Sequence, residues 1–173
     1  MKSAIPVISV VGRSESGKTT LLEKLIRELK RRGYRVAVVK HHYHAGFEFD
    51  VPGKDSYRFA QAGADHVIVA APDQVAQVRR YEQEPTLAEV VANVRDVDLI
   101  LTEGYKRAAA PKIEVSRRER SSELLCTADE LIGIVSDQRF DVEVPQFGLE
   151  DVVGLADLIE GLVLAGSRNR SRE

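Results

Sequence analysis

The 173-residue sequence contains a single cysteine, Cys126. One thiol rules out an intramolecular disulfide framework, and Cys126 reads as a small buried hydrophobe. Net charge is almost absent as well: 25 Lys and Arg stand against 27 Asp and Glu, a formal charge of −2. That balance gives no global electrostatic attraction to nucleic acid or to a membrane surface. No apolar run approaches the ~20 residues that a membrane-spanning helix needs, and no internal repeat is visible. Met1-Lys2-Ser3-Ala4 runs straight into a strand without a leader, so the expectation is a soluble cytoplasmic protein. The length and the 43% hydrophobic content suit one domain with a proper core, and not two ordinary ones. That domain is expected over residues 1–164. The polar, Arg- and Ser-rich tail, 165–173, is expected to lack fixed structure.

What the chain does have is Gly12-Arg13-Ser14-Glu15-Ser16-Gly17-Lys18-Thr19, with Thr20 behind it. This is a complete G-x-x-x-x-G-K-T phosphate-binding loop. An apolar run, Ile5 to Val11, leads in, and a periodic helix, Lys18 to Arg32, leads out, which is the context the motif requires. Gly12 and Gly17 let the backbone curl so that successive N–H groups face phosphate oxygens. The helix adds its unsatisfied first-turn N–H groups and the positive end of its dipole. Lys18 supplies an ammonium to the outer phosphates and Thr19 a hydroxyl to Mg²⁺.

Leu21, Leu22, Leu25, Ile26 and Leu29 form one apolar stripe on that helix, and Gly33 ends it. Arg35–Lys40 reads as a second strand, parallel to the first across a β-α-β crossover. A short helix ends near Ala62, with Asp55 or Ser56 as its cap. His66–Ala71 is a further apolar strand and Val75–Tyr81 a candidate edge strand. Thr86-Leu87-Ala88-Glu89 is a capping box opening a helix to about Val94. Pro111–Ser116 and Leu131–Ser136 read as strands, and Glu150–Leu164 as the closing helix. The pattern is α/β: a three-layer P-loop fold with a mostly parallel central sheet flanked by helices.

Several residues outside the loop carry chemistry. His41, His42 and His44 cluster with Asp50 in a Gly- and Pro-bearing loop after the second strand. A metal site, phosphate contacts and plain hydrogen-bonding loop residues are all open readings there. Asp50 suits Mg²⁺ better than a transition metal. Lys54 and Asp55 follow as candidate ligand contacts, with helix capping the bland alternative for Asp55. Asp98-Leu99-Ile100-Leu101-Thr102-Glu103 is an apolar strand with an acid at each end. At ~3.3 Å per residue the two acids lie roughly 16 Å apart. If the strand runs parallel to the first, only Glu103 faces the phosphates, and Glu103 is the expected Mg²⁺ ligand. Lys106, just beyond, is a further candidate contact. Arg117-Arg118-Glu119-Arg120 is either an exposed turn or a phosphate-facing lid. Asp137 ends another apolar strand. It is a candidate reader of guanine through N1–H and the exocyclic amine, and capping the next turn is its other role. No catalytic base can be assigned, so any hydrolysis is expected to be slow.

The sequence resembles the molybdopterin-guanine dinucleotide biosynthesis protein B family, a P-loop GTP-binding group related to the dimerising signal-recognition and nitrogenase-iron-protein class. The resemblance covers nearly the whole chain to residue 164. It rests on G-x-S-x-S-G-K-T-T-L at 12–21, V-K-H-x-x-H at 39–44, D-x-P-G-K-D-S at 50–56, A-G-A at 62–64, D-L-I-L-T-E-G-Y-K at 98–106, P-K-I at 111–113, I-V-S-D at 134–137 and E-D-V-x-G-L-A-D at 150–157. Glu15 departs from related loops, which often carry glycine or a neutral residue there; an acid is tolerable only if it points to solvent. The resemblance implies a GTP-binding adapter with weak Mg²⁺-dependent GTPase activity. It would assist a molybdenum cofactor guanylyltransferase and bind molybdopterin or its guanine dinucleotide as ligand. It also implies a homodimer built through an antiparallel β-ribbon, for which Val75–Tyr81 or Pro111–Ser116 is available. Two other readings are a P-loop small-molecule kinase and a metal-insertion chaperone using the three histidines.

Overall fold

The computed structural model describes residues 5–44 and 46–164, without the side chains of 163 and 164; the tail 165–173 lies outside the described residues. The chain groups into two compact units. One runs to His41 and resumes at Asn93; the other is His42–Ala92.

The first unit is built on a six-stranded parallel sheet. Its strands are β1 (Val7–Val11), β2 (Val36–Lys40), β5 (Leu99–Glu103), β6 (Lys112–Ser116), β7 (Leu131–Ser136) and β8 (Gln146–Phe147), in the order β2-β5-β1-β6-β7-β8. β2 is therefore parallel to β1 but separated from it by β5. Alternation along the buried strands sends side chains to two faces. Ile8 and Val10 join a core with Leu99, Leu101, Ile113 and Val115. Helix α1 (Lys18–Arg31) lays Leu21, Leu22, Leu25 and Leu29 on this face, and α4 (Val152–Ile159) adds Leu155, Ala156 and Ile159. Each such leucine contributes about 1.5–3 kcal/mol by leaving water. Val11, Leu131 and Ile134 belong to a second core with Cys126 and Val144, which confirms Cys126 as a buried side chain. The polar Ser9 and Thr102 are fully buried and satisfied together, Thr102 Oγ1 donating to Ser9 Oγ at 2.9 Å.

α1 and α4 are joined by charge as well as by leucine. Arg32 pairs with Glu28 and Asp157, each at 2.7 Å, and with Glu160, which also accepts from Tyr34 Oη. The closing helix starts at its Asp151 cap, whose carboxylate accepts from Gly154 N, and widens into a π-helical turn at Glu160–Leu164.

The second unit holds α2 (Asp55–Gln61), an antiparallel ribbon of β3 (His66–Ala70) and β4 (Val75–Arg79), and α3 (Leu87–Val91). Two expectations are corrected here. The ribbon alternative at Pro111–Ser116 fails, because Lys112–Ser116 is a fully buried central strand beside β1. Neither Asp55 nor Ser56 caps α2: the cap position is Lys54, and Asp55 already lies in the first turn, 3.7 Å from Arg58. The Thr86 capping box forms as the sequence requires, although its helix stops at Val91.

Candidate functional site

β1 lies between β5 and β6, where the chain turns from building one half of the sheet to building the other. Open parallel sheets bind ligands at such a switch point, beyond the carboxyl ends of the strands. The loop Gly12–Thr19 leaves β1 at that place. Gly12 has φ +150 and Gly17, the cap of α1, φ +96. A Cβ on Gly12 would stand 2.3 Å from the Val115 carbonyl oxygen. No side chain fits there, so this glycine is demanded by close packing against β6.

Glu15 adopts φ +59, a left-handed conformation that favours glycine. Its side chain is largely exposed and pairs with Arg120 at 2.8 Å, at the border of the cavity over the loop. Ser16 is buried beneath the loop. Arg13 and Ser14 are exposed, as are Thr19 and Thr20 on the first turn of α1.

Lys18 Nζ donates to the Arg13 carbonyl at 2.6 Å, folding the side chain back over the loop. Partial burial pushes its ammonium below the ordinary lysine value. The charge of Glu103 opposes that shift and the charge of Lys40 adds to it. Thr19 Oγ1 donates to Glu103 Oε2 at 3.0 Å. The other Glu103 oxygen lies 3.3 Å from Lys40 Nζ. Mg²⁺ takes oxygen ligands at 2.0–2.1 Å in octahedral geometry, which sets neighbouring ligands about 3 Å apart. The hydroxyl–carboxylate pair has that spacing and that chemistry, so these residues fit the ion. A cavity of about 470 Å³ opens over them, lined by Ser14, Lys18, Thr19, Glu103, Arg117 and Glu119 among others.

The strand-direction argument holds. β5 runs parallel to β1, so Glu103 reaches the phosphate-loop end and Asp98 the opposite end. Asp98 accepts from the backbone N of Arg35 at 2.7 Å and pairs with its guanidinium. Partial burial works against that carboxylate, and the Arg35 hydrogen bonds outweigh it, holding it below the ordinary range. Beyond Glu103 the chain turns through two left-handed residues, Gly104 (φ +95) and Tyr105 (φ +55). The His41 ring stacks against Tyr105 at 4.6 Å between centroids, and a Cβ on Gly104 would crowd His41. Lys106 is exposed on the loop that follows.

Asp137 leaves β7 at the same edge of the sheet, exposed, with Oδ1 accepting from the backbone N of Arg118 at 2.8 Å. The remaining candidates belong to the second unit. Asp50 Oδ1 accepts from the N–H of Val51. The His42 ring meets His44 and Phe47 edge-on. Lys54 and Asp55 are exposed at the start of α2. Among the described residues no three His, Cys, Asp or Glu groups converge as a metal site, and no helix is long and apolar enough to cross a membrane.

Sequence reasoning missed Lys40 and left Arg117 between an exposed turn and a phosphate-facing lid. Lys40 steadies Glu103 because β2 and β5 pair Lys40 with Glu103 in register. Arg117 was visible only as part of a charged run, yet its Nε donates to the Ser16 carbonyl at 3.1 Å. A basic residue at the C-terminal end of a parallel strand was the available signal for both.

A family model described as molybdopterin guanine dinucleotide synthesis protein B matches residues 7–137. The chain is 37% identical over 165 residues to the molybdopterin-guanine dinucleotide biosynthesis adapter protein of Escherichia coli strain K12, covering 91% of this chain and 93% of that one. It is 34% identical over 163 residues to the adapter protein of the same description from Haemophilus influenzae, covering 92% and 90%. The crystal structure of Bacillus subtilis MobB superposes with a TM-score of 0.73 at 28% identity, over 91% of this chain and 98% of that one. The chain belongs to the molybdopterin guanine dinucleotide synthesis protein B family.

Proposed function

We propose that the chain is a GTP-binding adapter in molybdopterin guanine dinucleotide biosynthesis, acting in the cytoplasm beside the guanylyltransferase that attaches GMP to molybdopterin. The observation that carries the nucleotide half of this reading is the meeting of Thr19 and Glu103 at 3.0 Å beside Lys18. An ammonium for phosphate and an oxygen pair for Mg²⁺ share one open cavity with the loop. The adapter half is supported by the named relatives.

The residues divide the work. Gly12 to Thr20 cradle the phosphates, Lys18 neutralises their outer oxygens, and Thr19 and Glu103 hold Mg²⁺. Bound Mg²⁺ would supply charge neutralisation between the phosphates. Asp137 reads guanine, its carboxylate accepting from N1–H and the exocyclic amine. His41 and Lys106 are ligand or phosphate contacts of the sheet unit, and His42, His44, Lys54 and Asp55 are candidate contacts within the second unit. No glutamine follows Glu103-Gly104 to orient a water, so the chain alone turns over on the order of 10⁻⁴ to 10⁻² s⁻¹. A homodimer through the β3–β4 ribbon fits the exposure of Ile68 and Val75, because a two-stranded ribbon is marginal alone in water.

Titration calorimetry with Mg·GTP and Mg·ATP tests the nucleotide half, and capture of the guanylyltransferase from extract with GTP present tests the adapter half. Asp137→Ala should weaken GTP about ten- to a hundredfold while sparing ATP. Equal loss of both would remove the base-reading role. A phosphorylated small molecule formed from labelled γ-phosphate would favour the kinase reading instead.

A further inference from the structure

We propose that Arg117 is a phosphate-binding residue, delivered from the β6–β7 connection to the outer oxygens of a nucleoside polyphosphate alongside Lys18. This rests on the nucleotide reading above and adds to it a cation from outside the phosphate loop.

Arg117 follows directly on β6, which runs beside β1 and ends at the same sheet edge. Its Nε donates to the Ser16 carbonyl, and its guanidinium lies against Gly17, where a Cβ would stand 3.2 Å from Nη2. The group thus borders the phosphate cavity before any ligand arrives. Its two terminal nitrogens have no partner among the described residues, whereas the neighbouring acid Glu15 is taken by Arg120. A planar fork anchored by one N–H and open at the others is suited to two-point recognition of a phosphate.

The segment that carries it is fixed from several sides. The backbone N–H groups of Arg120 and Ser121 both donate to the Arg117 carbonyl. Asp137 accepts from Arg118 N, and Gln138 Nε2 donates to the Ser121 carbonyl. Deeper in the same connection, the Glu114 carboxylate, buried on β6, accepts from the N–H groups of Leu125 and Cys126. A side chain so held loses little further freedom when phosphate binds. Electrostatics calls for it too: Glu15, Glu103 and Glu119 all line the cavity, and Lys18 is the only other cation among its lining residues.

Calorimetric titration of Mg·GTP into the full chain, repeated across a range of KCl concentrations, tests the assignment. Arg117→Ala should weaken GTP about ten- to a hundredfold and flatten the salt dependence of the affinity, because one charge pair is gone. Arg117→Lys should recover part of the affinity and the full salt slope. If Arg117 is only a strut for the loop, both variants weaken GTP with the slope of Arg117→Ala unchanged, and the proposal fails. Affinity within twofold of the unaltered chain in Arg117→Ala also overturns it. If the unaltered chain binds no GTP, the nucleotide reading itself falls and takes this proposal with it. Thermal melting separates these cases from a folding defect, and the lysine variant decides the matter if the alanine variant does not fold.

Discussion

The two units of the chain use their apolar residues in opposite ways. In the sheet unit the hydrophobic side chains are hidden: Ile8, Leu25, Leu29, Leu99, Leu101, Ile113 and Leu155 are all fully buried. In His42–Ala92 no described residue is buried, while Phe49 and Val75 are 72% and 66% exposed. A segment of that length buries too little surface to form a core by itself. One unit is therefore organised by its interior, and the Gly12–Thr19 loop, Lys18 and Glu103 are held on that interior. The other displays apolar surface, as a segment that works against a partner would. If the proposed nucleotide site belongs to the first unit and the proposed dimer contact to the second, substitutions should separate the two.

The largest expected effect is on the sheet side. Lys18→Ala should lower Mg·GTP affinity more than a hundredfold, with an unchanged melting temperature. Lys18 bonds only to a loop carbonyl and fills no core. Titration calorimetry and a thermal melt decide it, and unchanged affinity would remove the whole site assignment. Next comes the acid pair on β5. Glu103→Gln should cost roughly tenfold in Mg²⁺-dependent GTP affinity, as loss of one charged contact does. Asp98→Asn, at the opposite end of the same strand and tied to Arg35, should leave Mg²⁺ dependence alone and lower only stability. The reverse result would break the argument from strand direction.

On the ribbon side the readout changes. Ile68→Asp or Val75→Asp should shift sedimentation toward the monomer while GTP affinity stays within about twofold of the parent. These side chains are exposed and lie in the unit that does not include the phosphate loop. A monomeric parent chain at micromolar concentration would refute the dimer. A ribbon variant that lost GTP binding would show that the two units do not act separately.

The same contrast explains what could be read from the sequence. β1, β2, β5 and β7 are short apolar runs, β6 shows apolar residues at alternate positions, and α1 has a strict apolar stripe. Each signature is local, so each was legible. Glu103 was legible because parallel direction alone decides which end of β5 meets the loop. The β3 run His-Val-Ile-Val-Ala also reads as a buried strand, yet Ile68 and Val69 are exposed. Composition reports a preference for burial without saying whether the chain itself supplies the cover. The cation contacts were hidden for another reason. Arg117 meets Ser16 across 101 residues, and Lys40 meets Glu103 through strand register. Such pairs follow from sheet order, which places β5 between β1 and β2 and which no local pattern encodes.

A pH effect should also appear in the sheet unit. Hydrogen bonds from Arg31 and Arg32 hold the Glu28 carboxyl down to about 2, against an ordinary value of 4.5. Between those values the unfolded chain binds the extra proton, so stability falls as pH drops from 4.5 toward 2. Glu28→Gln should flatten that part of the curve in chemical denaturation and leave the region above pH 6 with a similar slope. An equally steep acid limb in the variant would assign the loss to other carboxylates.

The smallest expected effect is at Glu15, and it concerns how this chain tolerates an acid on its phosphate loop. A non-glycine residue in the left-handed region costs roughly 1–2 kcal/mol, and the exposed pair with Arg120 returns only about 0.2–1 kcal/mol. Glu15→Gly should therefore raise stability slightly, by less than about 1 kcal/mol, because glycine's extra freedom in the unfolded chain offsets most of the relief. Its clearer effect should be on binding. Glu15 lines the cavity proposed above to take the phosphates, so removing its charge should tighten GTP a few-fold at low salt and less at high salt. Arg120→Ala should act in the opposite sense, because it leaves Glu15 unmasked beside the phosphates. In the Glu15→Gly background, Arg120→Ala should then change affinity by less than it does alone. That non-additivity is the signature of one residue neutralising the other. Strictly additive effects would mean that Arg120 acts on the nucleotide directly. A loss of GTP affinity in Glu15→Gly would mean that the ion pair holds the loop in its binding shape, and that the acid is part of the site's construction.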